Sequence, residues 1–402
     1  MRRSGGSRDR DVSGSDGVAG PHPEDAFDLL LLQELPGVGP VTVRHLLERF
    51  GTPERALTAP SRDFTAIAGW DAARARSEHD LRRTVRGALS RAGELGMRVV
   101  TWTAHDYPDA MRRLADPPPV LFLRGRADLL GRPQAVTVVG ARRATGRARD
   151  VAERLGARLA RAGVTVVSGL ALGVDGAAHV GALGAHGDTI AVLGTGADVA
   201  YPRAHRRLFE RIAATGLLVS EFMPGTRAAP HHFPRRNRLL AAISSIVVVV
   251  EAGRRSGSLI TVDHALDLGR DVWAVPGPID ASVCEGSNRL LVDGAQPLVS
   301  IDDFVARVAG EREAAAMGEG AAGKGRTDRA VAPDALGADE GGHAASSLEE
   351  RALATLEQDT LLVDDLAERL AVPVSTALAL LTTLELHGEV VRLPGMRFRK
   401  AA

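Results

Sequence analysis

The chain has 402 residues, 45% hydrophobic and 25% charged, which allows two or three domains with a sizeable core and fits an ordinary globular composition. Its 50 Lys and Arg are matched by 50 Asp and Glu, so no net field draws the molecule toward a polyanion, and any nucleic-acid site has to be a local concentration of charge. The single cysteine, Cys284, excludes an intrachain disulfide and a multi-cysteine zinc site and fits a reducing, cytoplasmic setting; no run approaches the roughly 20 apolar residues of a membrane helix, so no membrane partner is expected.

Residues 1–24 are polar and Gly-rich without the apolar core of a secretory signal, and read as a disordered tail. Residues 25–100 read as a small all-helical domain. Leu29, Leu32 and Leu35, then Val41, Val43, Leu46 and Leu47, recur at helical spacing on either side of Pro36-Gly37-Val38-Gly39-Pro40. That turn resembles a helix-hairpin-helix, whose glycine amides face a phosphate; a plain αα-hairpin fits it equally.

Over 101–309 two signals alternate. Apolar, β-branched runs stand at 136–139, 164–167, 189–193, 217–220, 246–250 and 272–275. Between them lie helical patterns at 148–161, 176–185, 203–213, 235–242 and 258–268. Continuous apolar strands separated by helices of this length predict an α/β fold, a doubly wound Rossmann-like parallel sheet buried on both faces. Residues 310–346 have almost no large apolar side chain, so burial cannot offset the entropy of ordering them, and a flexible linker is expected.

Residues 347–402 return to helical spacing, at about 348–358, 363–370 and 374–387, followed by an alternating stretch over 388–399. Three helices and a two-stranded wing predict a C-terminal winged-helix domain. Its recognition helix, 375–386, contains neither Arg nor Lys, which suits protein interaction better than DNA. The wing residues Arg392, Arg397 and Arg399 point the other way.

Ligands of open parallel sheets bind beyond the carboxyl ends of the strands. Here those ends read Gly140-Ala141-Arg142-Arg143, Ser168-Gly169 to Gly173-Val174-Asp175, Gly194-Thr195-Gly196-Ala197-Asp198, Glu221 with a loop running to His231 and Arg238, Glu251 to Ser256-Gly257-Ser258, and Pro276-Gly277-Pro278. Bare glycine backbone and helix N-termini suit a phosphate, and arginine forks would hold its oxygens. None of these strand ends carries GxGxxG or GxxxxGK[ST], which argues against a dinucleotide dehydrogenase and a P-loop NTPase. Acids beside a phosphate would repel it, so Asp175, Glu221 and Glu251, with His179, read as helix-capping or arginine-pairing groups. No HxxxH or paired-carboxylate spacing supports a metal or general acid/base role. No catalytic residue, metal or cofactor is therefore expected.

Taken together, these strings resemble the DNA-processing protein A (DprA/Smf) family. The resemblance rests on 166–179, on Thr189 to Gly194 through Tyr201-Pro202, on Phe233-Pro234-Arg235-Arg236-Asn237-Arg238, and on Val249 to Ala252 with Ser256 to Thr261. Upstream it includes Tyr107-Pro108, Leu114, Asp116-Pro117-Pro118 and Leu121 to Gly125. It covers about 107–299.

The resemblance implies a protein that binds single-stranded DNA in a basic pocket at the strand ends, forms a homodimer, protects incoming DNA and loads the recombinase RecA in natural transformation. Arg142 would grip phosphate and Phe233 would stack on a base, with Arg235, Arg236, Asn237 and Arg238 beside it. The expected DNA-binding set is completed by Gly140, Arg143, Ser168, Gly169, Gly173, Gly194, Gly196, Ser256, Gly257 and Ser258.

The sequence departs from the family pattern at three places. Gly146-Arg147 stands where Tyr-Gly is frequent, His205 stands where asparagine is frequent, and no lysine precedes the Phe-Pro segment, Arg227 being the nearest upstream cation. Two other readings share the fold. One is a nucleotide-binding enzyme, similar to nucleoside monophosphate hydrolases, in which Glu251 would act. The other is a scaffold whose winged helix recruits partners.

Overall fold

A computed structural model describes residues 23–132, 134–310, 349, 351–356, 361–370, 372, 377, 380–381, 384, 389–393 and 397–400. The expected tail apart from its last two residues, the expected linker apart from residue 310, and most of the expected recognition helix lie outside the described residues. The chain divides into two compact units, Met1–Lys324 and Gly325–Ala402.

The first unit opens with six helices: α1 (Pro23–Gln33), α2 (Pro40–Phe50), α3 (Pro53–Thr58), α4 (Ser61–Ala68), α5 (Trp70–Ala75) and α6 (His79–Glu94). Their boundaries follow local chemistry. Pro40 and Pro53 open α2 and α3, where a missing N–H costs nothing, and Thr52 Oγ1 accepts from Arg55 N at 3.2 Å. Leu29, Leu30, Leu31 and Leu32 are all buried, so the second half of α1 is enclosed on every side rather than on one stripe. It lies inside a cluster that joins Leu46, Phe64 and Val85 of the helices to Phe122, Leu193 and Leu218 of the sheet. Helical region and sheet thus share one core.

Nine strands follow: β1 (Arg98–Thr101), β2 (Val120–Gly125), β3 (Ala135–Val139), β4 (Thr165–Ser168), β5 (Thr189–Val192), β6 (Leu217–Ser220), β7 (Ile246–Val249), β8 (Asp271–Ala274) and β9 (Gln296–Pro297). The sheet order is β1-β2-β6-β5-β4-β3-β7-β8-β9. From β6 to β9 every neighbouring pair is parallel, while β2 pairs antiparallel with β6 on one side and with β1 on the other. The six strands read from the sequence are the six that alternate with helices, and the sheet adds β1, β2 and β9.

Among the strands lie α7 (Asp109–Arg112), α8 (Gly146–Arg161), α9 (Val174–Gly184), α10 (Arg206–Thr215), α11 (His232–Ile243), α12 (Leu259–Asp267) and α13 (Glu285–Val292), and residues 301–310 are helical as well. Side chains alternate across the strands as the pleat demands. Ile246 and Val248 join a core under α8 and α9, while Val247 and Val249 join a core under α11 and α12. Helices α8 and α9 touch backbone to backbone: a Cβ at Gly156 would overlap Ala178 O, and one at Gly181 would overlap Glu153 O.

In the second unit, β10 (Leu361–Leu362) runs into α14 (Val363–Leu370), and β11 (Val390–Leu393) pairs with β12 (Arg397–Lys400) as the expected wing. β10 adds a third strand, in the order β10-β12-β11. Leu356, Leu366, Leu370, Leu381, Leu384, Val390 and Phe398 form its core. Among the wing arginines, Arg399 is exposed.

Candidate nucleic-acid interface

Strand order reverses at β3, which has β4 on one side and β7 on the other. Beyond the carboxyl ends of β3 and β7 lies a cavity of about 750 Å³, at the place where open α/β sheets bind ligands. Two glycines shape its entrance. A Cβ on Gly140 would lie 2.6 Å from Val174 Cγ2 and 2.9 Å from Glu251 O, so the first loop turns where no side chain fits. Gly173 has φ +81°, and a Cβ there would overlap Ala141 O. The loops are tied by Ala141 N donating to Glu251 O at 2.7 Å and Val174 N to Ala141 O at 3.3 Å.

Arg142 and Arg143 project from the first loop and Arg254 and Arg255 from the loop after β7; all four line the cavity and are exposed. None of them makes an ion pair among the described residues. The Arg142 guanidinium stands 5.0 Å from the centroid of the Phe233 ring, and Tyr201 tilts against that ring at 5.4 Å and 36°. Gly194 makes room for Phe233: a Cβ there would come within 2.9 Å of its ring. Ser256, Gly257 and Ser258 complete one wall at the start of α12, with the two serine hydroxyls 2.8 Å apart. Asn237 lines the cavity while its Nδ2 donates to Gly257 O at 3.0 Å. Gly169 faces a smaller adjoining cleft with Gly194.

The arginines of α11 take a different place from the one expected. Arg238 is buried, and its guanidinium is bidentate to Glu221, with Nη1–Oε1 and Nη2–Oε2 both 2.8 Å, and pairs with Asp116 at 2.9 Å. Arg235 also pairs with Glu221 at 2.9 Å and stands over Phe222. Arg236 is buried beneath the cavity, donating to the carbonyls of Gly169 and Val192. Burial lowers its pKa to about 10, although Asp175 nearby opposes the shift, so it stays charged at neutral pH. Arg238, buried and held by the carboxylates of Glu221 and Asp116, is not among the residues that line the cavity, whereas Arg236 lines it from below. Like Arg238, Ser168 does not line it: its buried hydroxyl donates to Val138 O at 2.6 Å. Gly196 is set apart from the cavity, in a turn where a Cβ would meet Met223 O at 2.6 Å.

The acids and His179 are held inside the fold. Asp175 Oδ2 accepts from Gly169 N at 3.0 Å and Ala171 N at 3.4 Å, fixing the loop before α9 rather than capping the helix. Burial pushes its pKa up against the pull of Arg236. Glu251 accepts from Thr145 N at 3.0 Å and Thr145 Oγ1 at 2.7 Å, while Thr145 caps α8 by accepting from Ala148 N at 3.1 Å. His179 Nδ1 lies 2.7 Å from Thr189 Oγ1, and burial lowers its pKa to about 3, so the ring is neutral. His205 Nδ1 donates to Leu170 O at 3.0 Å, holding a buried residue at φ +56°, a conformation that costs a non-glycine residue energy.

Arg254 and Arg255 were not among the expected contacts. Their signal was adjacency: they sit between Glu251 and the Ser-Gly-Ser string, on a loop already marked by its strand-end position. Tyr201 likewise shows its relevance only once it lies beside Phe233.

A family profile described as DNA recombination-mediator protein A matches residues 98–309, and one described as the DprA winged helix domain matches 331–396. Protein Smf of Synechocystis is 30% identical over 397 residues, 92% of this chain and 98% of that protein. The putative DNA processing protein DprA of Mycobacterium tuberculosis is 50% identical over 173 residues, 43% of this chain and 44% of that protein. The crystal structure of DNA processing protein A from Streptococcus pneumoniae superposes with a TM-score of 0.62 at 33% identity, covering 70% of this chain and 97% of the other.

Proposed function

This chain belongs to the DNA recombination-mediator protein A (DprA/Smf) family, and from that premise we propose that it binds single-stranded DNA at the switch-point cavity, without carrying out chemistry on it. The observation that carries the reading is the rim itself: Arg142, Arg143, Arg254 and Arg255, exposed and outside any ion pair among the described residues, around the Phe233 ring. Guanidinium forks suit phosphate oxygens, and an aromatic face accepts any base, which is what a protein handling arbitrary sequence requires. Gly140, Gly169, Gly173, Gly194, Asn237, Ser256, Gly257 and Ser258 supply the backbone and wall around these contacts.

The hydrolase reading has no such support. Both Glu251 oxygens accept hydrogen bonds from Thr145, which organises the first loop. The same reading extends to a homodimer that works in the cytoplasm, protects incoming DNA and hands it to RecA during natural transformation. Domain limits of 25–100, 101–309 and 347–402 are part of the proposal, with the winged helix serving protein contacts.

The test is a fluorescence anisotropy titration with oligo-dT at two salt concentrations. Binding should weaken steeply with salt, with a log–log slope of about −0.7 per phosphate contacted, and duplex of equal length should bind less tightly. Arg142→Ala should weaken oligo-dT binding about tenfold, the loss of one charge-assisted hydrogen-bonded group. Unchanged affinity in that variant would sink the placement of the site. Turnover of nucleoside monophosphates that Glu251→Gln abolishes would favour the enzyme.

A further inference from the structure

Arg142 lines three openings in the surface. Besides the main cavity, it borders a cleft of about 80 Å³ with Leu172, Tyr201 and Phe233, and a groove of about 760 Å³ that runs off over α8, α9 and α10. Leu172, 44% exposed, borders both the cleft and the groove. The groove walls carry Arg149 from α8 and Arg207 and Arg211 from α10, against the carboxylates of Asp150 and Glu153. Counting Arg142, four guanidiniums face two acids.

Pairing varies among the arginines of this surface: Arg126 and Arg132 share Asp188, Arg158 pairs with Asp302 and Arg289 with Asp293, while Arg147 and Arg154 are exposed and make no ion pair among the described residues. Arg149, Arg207 and Arg211 are exposed and make no ion pair among the described residues. Glu210, within the same helix as two of them, pairs instead with Arg124 across 3.1 Å. With four guanidiniums against two carboxylates the groove keeps an excess of positive charge, and a polyanion laid along it offsets the remaining repulsion.

We propose that a single strand held between Arg142 and Phe233 continues along this groove, with Arg149, Arg207 and Arg211 on its phosphates and Leu172 offering apolar surface at the point of exit. The proposal rests on the single-strand reading of the cavity and adds a second stretch of track to it. Its consequence is a dependence on strand length that the cavity alone would not produce.

Titrations of the full chain with oligo-dT of about 5 and about 20 nucleotides bracket the site sizes of such grooves. In Arg207→Ala/Arg211→Ala the short oligonucleotide should bind as it does to the parent. The long one should bind about five- to tenfold more weakly, with the salt slope flattened by about 1.4, the value for two lost contacts to a single strand. Arg207→Glu/Arg211→Glu should deepen that loss. A long-oligonucleotide affinity and slope equal to the parent's would overturn the groove. So would an equal loss at both lengths with an unchanged melting temperature, which would assign the two arginines to the cavity. Failure of the underlying reading shows elsewhere, as a parent chain that binds neither length or an Arg142→Ala variant that binds the short one unimpaired.

Discussion

Phe233 sets the geometry of the rim, because its ring is where Arg142, Tyr201 and the bare backbone of Gly194 meet. Phe233→Ala should cost about 1–3 kcal/mol of oligo-dT affinity, the usual worth of one base–aromatic stack, and Phe233→Tyr should keep most of it. A Phe233→Ala variant with parental affinity would show that bases pass the ring without touching it. Five residues on, at Arg238, the same segment serves stability instead. Glu221→Gln leaves the buried Arg238 guanidinium short of its counter-charge, and about 3–5 kcal/mol of stability should go with it, read as a lower denaturant midpoint. The sequence showed a run of arginines after Phe233 and could not divide it. Arg235 and Arg238 are i, i+3 neighbours, a spacing that puts both on one helix face, and both meet Glu221, whose position depends on a strand 14 residues upstream of Arg235. Spacing alone thus gives the pairing of the two arginines but not the burial of their partner.

The seam between α8 and α9 controls the first two strand-end loops. Both helices start at the cavity rim, and they approach closely enough that Gly156 and Gly181 leave no room for a methyl group. Gly156→Ala should therefore destabilise the protein by about 1–3 kcal/mol through overpacking and shift the loop carrying Arg142; thermal melting and oligo-dT affinity would both report it. The small-residue composition of α9 and the strands β3 to β8 were legible in the sequence, because continuous apolar runs of this length between helical patterns have few other readings. Strands β1, β2 and β9 were not. Arg98–Thr101 and Gln296–Pro297 are too short to show a period, and β2, though an apolar run buried on both faces, joins the sheet antiparallel and outside the alternation with long helices that marked β3 to β8. One further consequence sits inside α9. His179 is neutral in the fold, with its pKa lowered from 6.5 to about 3 by burial first of all. The unfolded chain takes up a proton there below about pH 6.5 while the folded chain does not, so stability should fall as pH drops from that value toward 3. His179→Asn should flatten this loss, as urea midpoints at pH 7 and pH 5 would show.

For the whole molecule, the balance of 50 basic against 50 acidic residues hid the site, since the excess of positive charge is local. At the strand ends Glu221, Glu251 and Asp175 are buried while Arg142, Arg143, Arg254 and Arg255 are exposed. Composition also marked residues 25–100 as separate from the sheet, yet their leucines fill the same core as Phe122, Leu193 and Leu218. The two ends of the chain should consequently respond differently to truncation. Removing residues up to 97 would expose that shared apolar face, so the remainder should lose solubility or cooperative melting rather than simply shorten. Removing everything after residue 310 leaves this core intact. The cut must not fall earlier, because the helix over 301–310 places Phe304 and Val308 against Trp273 and the α8 side of the sheet. A chain of residues 23–310 should melt cooperatively and bind oligo-dT with the affinity of the full chain. If its binding fell tenfold while its melting temperature held, the winged-helix unit would be contributing contacts to the strand, and the assignment of that unit to protein partners would have to be abandoned.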